Sequence, residues 1–130
     1  MIDTLLLALA LAGQAAPAAP EPVAVTPAPF AQAIQGVVGQ TYDGGVTIAR
    51  IYAEGQVVVI VLDGPAGWRN AGGSAAQITD IFMGGFCEGR DFEYFVNGNA
   101  MRIDTTEGGG TLRAGPLIRA CPRPADAHPQ

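Results

Sequence analysis

Few residues in this chain could do chemistry. Ser74, the only serine, stands in GGSAA, residues 72–76, which has the outline of the G-x-S-x-[GA] elbow that presents a nucleophilic hydroxyl. An elbow follows a strand directly, whereas the preceding apolar run ends near Asp63. The sole histidine that could serve as base, His128, lies in a proline-rich tail. Ser74 also stands three residues before Gln77 at the head of an apolar stripe, the pattern of a capping box, and this accounts for it without catalysis. Carboxylates gather at Glu88, Asp91 and Glu93 and again at Asp104 and Glu107, where a cation site or an acid–base pair could form. Their spacing is not that of a calcium-ligating loop, and acids at helix ends and turns are commonly just solvated. A small hydrolase or metal-dependent enzyme using Ser74 or these acids is the alternative reading; no metal and no cofactor is expected.

Composition narrows the classes further. Acidic residues number 12 and basic 7, a net charge of −5, and all seven basic residues are arginines scattered along the chain, which disfavours nucleic acid as a partner. The absence of lysine removes a Walker-type phosphate loop and Schiff-base chemistry. The triplet Gly108 to Gly110 has no helix after it, so it serves a turn.

The two cysteines, Cys87 in FMGGFCEGR and Cys121 near the end, lie too far apart for a CxxC redox pair and have no histidine company for zinc. The N-terminus supplies their context. Residues 1–15 carry an apolar run from Leu5 to Ala12 followed by Gly13 and Ala15 at the positions of a cleavage motif, which predicts a signal peptide even though the leading segment holds Asp3 and no Lys or Arg. The run is too short to span a bilayer, so no stable membrane insertion is expected after cleavage. In an oxidising compartment an even cysteine count reads as a disulfide, and a Cys87–Cys121 staple is expected in a periplasmic or secreted protein.

Residues 16–29, APAAPEPVAVTPAP, hold five of the ten prolines and one charge, the composition of an extended spacer; residues 122–130 read as a second proline-rich, disordered tail. Residues 30–121 then form a single domain. VTIARIYAEGQVVVIVLDGP predicts a hairpin turning at Glu54 and Gly55, and the unbroken run VVVIVL, residues 57–62, predicts a central strand buried on both faces. A helix follows over about 75–88, with Ile78, Ile81, Phe82 and Gly85 on one face and Gly84 and Gly85 allowing close approach to a strand. DFEYFV fits a short helix closed by Asn97 and Gly98, with a strand as the alternative. AMRIDTT and TLRAGPLIRAC predict a second hairpin whose return strand, broken by Gly115 and Pro116, lies at an edge.

The predicted fold is α+β: hairpin, helix, hairpin, with about four strands in a mostly antiparallel sheet, helices on one face and one disulfide. The second face of VVVIVL needs a cover, and the stripe Phe30, Ile34, Val37 and Val38 is the candidate within the chain. Over residues 46–122 the strand pair, the helix cysteine, the aromatic segment ending at Gly98, the turn near Gly109 and the closing Cys121 resemble small exported bacterial domains of unknown function. That resemblance implies an α+β fold with one disulfide and no particular activity.

Trp68 and Arg69, in the loop GPAGWRNAGG, are the candidate contact residues, since tryptophan and arginine are common anchors of binding surfaces. The other reading of Trp68 folds it back over the helix. The function expected is a non-catalytic periplasmic or secreted binding domain, with a protein as its candidate partner.

Overall fold

A computed structural model describes residues 25–87 and 93–122; residues 1–24, 88–92 and 123–130 lie outside the described residues. The predicted signal peptide, most of the spacer, the carboxylates Glu88 and Asp91, and the tail from residue 123 with His128 are among those outside. Among the described residues no helix is long and apolar enough to cross a membrane.

The architecture is α+β, as the sequence predicts, but the sheet has five strands in place of about four. They are β1 (Thr41–Tyr42), β2 (Val46–Glu54), β3 (Val57–Gly64), β4 (Ala100–Glu107) and β5 (Leu117–Ile118), side by side in chain order. Three of the four pairings are antiparallel, whereas β3 and β4 run parallel, from Val57 opposite Ala100 to Gly64 opposite Glu107. The parallel pair has a physical reason. VVVIVL is apolar on both faces and must have a strand on either side, and the long helical link after β3 returns the chain to the end where β3 began.

That link contains α2 (Trp68–Gly72), α3 (Ala75–Cys87) and a 3₁₀ turn (Glu93–Asn97). The short helix expected in DFEYFV is thus a 3₁₀ turn, closed by Gly98 at φ +79°. Tyr94 within it is buried, stacks on Phe30 at 4.6 Å and donates its hydroxyl to the Ala100 carbonyl at 2.7 Å; burial pushes the phenol up to about 12. Asn99 closes the same corner by donating to the carbonyls of Tyr94 and Val25 at 2.9 and 2.6 Å.

Ahead of the sheet lies α1 (Pro27–Ala33), so Pro27 and Pro29 of the segment read as a spacer stand in a helix. Proline is compatible with a first turn, where its missing N–H has no intrahelical partner to lose. Phe30, Ile34 and Val37 pack against the cluster of Val58, Ile60, Leu62, Ile78 and Met101. This is the face that α3 also covers. The expectation that this stripe covers the second face is overturned, and both helices lie on one face of the sheet.

The second face is closed by long polar side chains. Val59 and Val61 are buried there between Tyr52 and Arg102 and between Arg50 and Asp104, respectively, their partners across the strands. The Arg50 guanidinium sits 5.0 Å from the Tyr52 ring centroid, and Arg102 grips Asp104 through Nε and Nη2 at 2.8 and 2.9 Å. Arginine stems cover the valines while the charged ends reach water or one another.

In α3 the buried residues are Ile78, Thr79 and Met83, with Phe82 and Phe86 partly buried. At about 100° per residue these five lie on one arc, and Ile81 falls outside it. Ile81 is 71% exposed, which corrects its predicted place on the core face. The disulfide joins Cys87, at the end of α3, to Cys121, with Cα atoms 6.1 Å apart. Gly84 and Gly85 are not there to permit close approach, because a Cβ on either would meet nothing within 4 Å. Alanine at both positions should therefore add up to about 1 kcal/mol of helix propensity per site and raise the melting temperature accordingly. Unchanged or lower melting of the double variant would show that the helix end needs the flexibility.

Candidate functional site

An open groove of about 900 Å³ lies between the β1 edge of the sheet and the helices α2 and α3. Its floor is Val46, Leu62 and Ile78; its lips are Tyr42 and Ile81, which are 44% and 71% exposed. Phe82 stands between them, its ring 6.1 Å from that of Tyr42 in an edge-on contact. Asp43 is the one ionisable side chain in the lining other than the Tyr42 phenol. The turn Asp43–Gly45 forms because Gly44 and Gly45 take φ of +84° and +79°, which turns the chain from β1 into β2 and raises Tyr42 over the groove.

Trp68 forms one wall, and its place is set by hydrogen bonding. Its Nε1–H donates to the Thr106 carbonyl at 2.7 Å, and Gly64 makes room for the ring, since a Cβ there would lie 2.7 Å from Cδ1. The tryptophan is thus folded back onto the end of β4 while one side of it lines the groove. Arg69 points elsewhere. Its Nη1 donates to the carbonyls of Thr105 and Thr111, each at 3.0 Å, and its backbone amide and Nε meet Glu107 at 3.2 and 3.4 Å. Of the two candidate contact residues, then, Trp68 lines the concavity and Arg69 ties α2 to β4.

Around these anchors the carboxyl ends of β3 and β4 are knit together. Asp63 accepts from the Thr106 hydroxyl at 2.5 Å and from the Gly109 amide at 2.8 Å, and these bonds hold its carboxyl below the usual range. Backbone amides at Gly67 and Arg69, with the Arg69 guanidinium, lower Glu107 in the same way. The turn through Gly108 to Gly110 is shaped by these contacts, Gly108 donating to the Gly64 carbonyl at 2.8 Å.

Ser74 is the cap of α3. Its Oγ accepts from the Gln77 amide at 3.1 Å, and Gln77 Oε1 accepts from the Ser74 amide at 2.7 Å, both halves of a capping box. Asp104 is fully buried against Arg102 and distant in role from Glu107, which serves Arg69. Glu93 opens the 3₁₀ turn. Among the described residues no three His, Cys, Asp or Glu side chains come together as a metal site.

Sequence reasoning missed Tyr42, Phe82 and Ile81 as a group. The signal was available in part: Ile81 extends the apolar stripe of α3 beyond what one core-facing arc needs, and TYDGG announces a tight turn beside an aromatic residue. Comparison with protein-family models, with curated proteins and with solved structures finds no match to this chain.

Proposed function

We propose that this chain is an exported, non-catalytic binding domain that holds an extended apolar segment of a partner protein in the groove between β1 and α3. The observation that carries the reading is the exposure of Tyr42 and Ile81, 44% and 71%, on facing lips of one apolar concavity. Its volume lies near the upper end of the roughly 300–1,000 Å³ of ligand sites. The concavity is open to solvent, and Gly44, Gly67 and Gly85 leave backbone unscreened in its walls, which suits a peptide chain. Export is supported by the Leu5 to Ala12 run and by the disulfide. A hydrolase reading would require the Ser74 oxygen to leave its cap.

Peptide display against the oxidised domain tests the proposal. Selected peptides should carry apolar residues at alternate positions, should shift the emission of Trp68, the sole tryptophan, and should bind Ile81→Glu at least tenfold more weakly. Ile81 is exposed on α3, so the variant keeps the fold. Binders that ignore Ile81→Glu, or a selection that enriches nothing, would remove the groove from consideration.

A further inference from the structure

Asparagine decomposes when the backbone nitrogen of the next residue attacks its side-chain amide, so its lifetime depends on how firmly that nitrogen is held and how well it is screened. The chain has three asparagines, Asn70, Asn97 and Asn99. Two are protected. Asn70 lies in α2 and precedes Ala71, whose amide donates to the Gly67 carbonyl at 3.1 Å. Asn99 is buried, its side chain donates to the Tyr94 and Val25 carbonyls, and the Ala100 amide after it donates to the Gln56 carbonyl at 2.9 Å.

Asn97 differs at each point. It is exposed at the end of the 3₁₀ turn Glu93–Asn97 and is followed by Gly98. The Gly98 amide reaches the Phe95 carbonyl only at 3.4 Å, beyond the roughly 2.7–3.2 Å usual for such bonds. Space beside Gly98 is open, since a Cβ there would meet nothing within 4 Å. Rotation that brings the Gly98 nitrogen onto the Asn97 side chain therefore breaks one weak bond at a turn end. Glycine, already at φ +79°, absorbs the change before it reaches Asn99.

We propose that Asn97 is a modification site at which the chain converts itself to aspartate and isoaspartate, with water as the one co-reactant. The Gly98 nitrogen gives its proton to solvent base and bonds to Cγ of Asn97; the Cγ–Nδ2 bond breaks, and the amide group takes a proton from solvent and leaves as ammonia. A five-membered succinimide remains. Water then opens it at either carbonyl. Breaking the new Cγ–N bond restores the ordinary backbone with an aspartate, whereas breaking the old peptide bond leaves the α-carboxylate free and reroutes the main chain through Cβ and Cγ. Overall one water is consumed and one ammonia released, with nothing oxidised or reduced. The isoaspartate form has the larger structural effect. Its extra main-chain atom falls inside the loop that Asn99 closes onto the Tyr94 carbonyl at 2.9 Å, and the same corner holds Val25 ahead of α1 and the stack of Phe30 on Tyr94.

The test keeps the oxidised chain for weeks in mildly alkaline and in mildly acidic buffer, then reduces it, cuts it after its arginines and sequences the fragments by mass spectrometry. The fragment from 91 to 102 should gain one mass unit, placed at Asn97, several times faster than the fragment from 70 to 90 that carries Asn70, and faster in the alkaline sample. It should divide into two isomers, of which the isoaspartate one accepts a methyl group from an isoaspartyl methyltransferase. Asn97→Gln should lose the gain. Asn97→Asp, which carries the charge on an ordinary backbone, should melt close to the parent, while aged parent protein melts several degrees lower. Equal rates at Asn97 and Asn70, or a gain confined to chains unfolded in urea, would overturn the proposal, because the turn would then protect its asparagine.

Discussion

Replacing Cys121 with serine should lower the melting temperature by roughly 15–30 °C. The disulfide closes a loop with a sequence separation of 34 residues, for which the chain-entropy model gives about 4 kcal/mol, and each kcal/mol moves the midpoint of a domain this size by about 4–8 °C. Its placement raises the stakes. Residues 111–122 are attached to the sheet by the two-residue β5, the Thr105–Arg113 pair and a few side-chain bonds, so Cys121 is the firm hold on that end of the domain. Thermal unfolding followed by circular dichroism checks the value. The double Cys87→Ser, Cys121→Ser variant should melt close to the single one, and a loss of only a few degrees would show that packing alone fixes α3 against the last strand.

The second large effect is expected at Asp104. Its carboxylate is fully buried and pairs with Arg102, which is the cross-strand partner of Val59 on the face away from α1 and α3. Alanine there removes the partner of a mostly buried guanidinium and also the acceptor of the Gly115 amide, so a loss of about 3 kcal/mol is expected. Arg102 is also tied to Glu54 at 3.3 Å, but that pair is exposed and contributes little. Replacing both Arg102 and Asp104 with leucine and valine should recover much of the loss, because a well-packed apolar pair commonly matches a buried ion pair. Denaturant unfolding of the single and the double variant beside the parent distinguishes these outcomes. Equal destabilisation of single and double variants would mean that the Gly115 contact, and not the ion pair, carries the effect. The double variant should also aggregate, since it would uncover a contiguous apolar face.

Legibility in the sequence followed the range of the interactions involved. Local chemistry was readable: Ser74 with Gln77 announced the start of α3, Gly55 announced the turn between β2 and β3, and two cysteines in a chain that starts with an apolar run announced their bond. The parallel pairing of β3 with β4 was not readable, because VVVIVL requires two neighbours without specifying their direction. The cover over Val59 and Val61 was missed for a related reason. Nothing in the sequence marks Arg50, Tyr52 and Arg102 as a cover, and only their cross-strand neighbours show that their stems lie over apolar surface. At the groove, Trp68 was legible as an outlier in its loop, but Tyr42 and Ile81 meet only through the return of β1 along β2 and the angle of α3.

The parallel pair also bears on how the molecule assembles in time. β2 and β3 are joined by Gly55 and Gln56 alone, so their hairpin can form within about ten microseconds of collapse. β4 can dock on β3 only after the chain from Pro65 to Asn99 has been gathered in, a closure whose entropy must be met before any β4 contact is gained. Until then β3 has an unpaired, largely apolar edge, and the nascent domain is at its most aggregation-prone. Cys87 lies inside that late-closing segment and Cys121 beyond it, so the bond brackets the stretch that carries β4. A catalyst of disulfide formation acting before β4 docks would shorten the search by holding α3 near the end of the chain, and refolding with the bond preformed should proceed faster than refolding of the reduced chain.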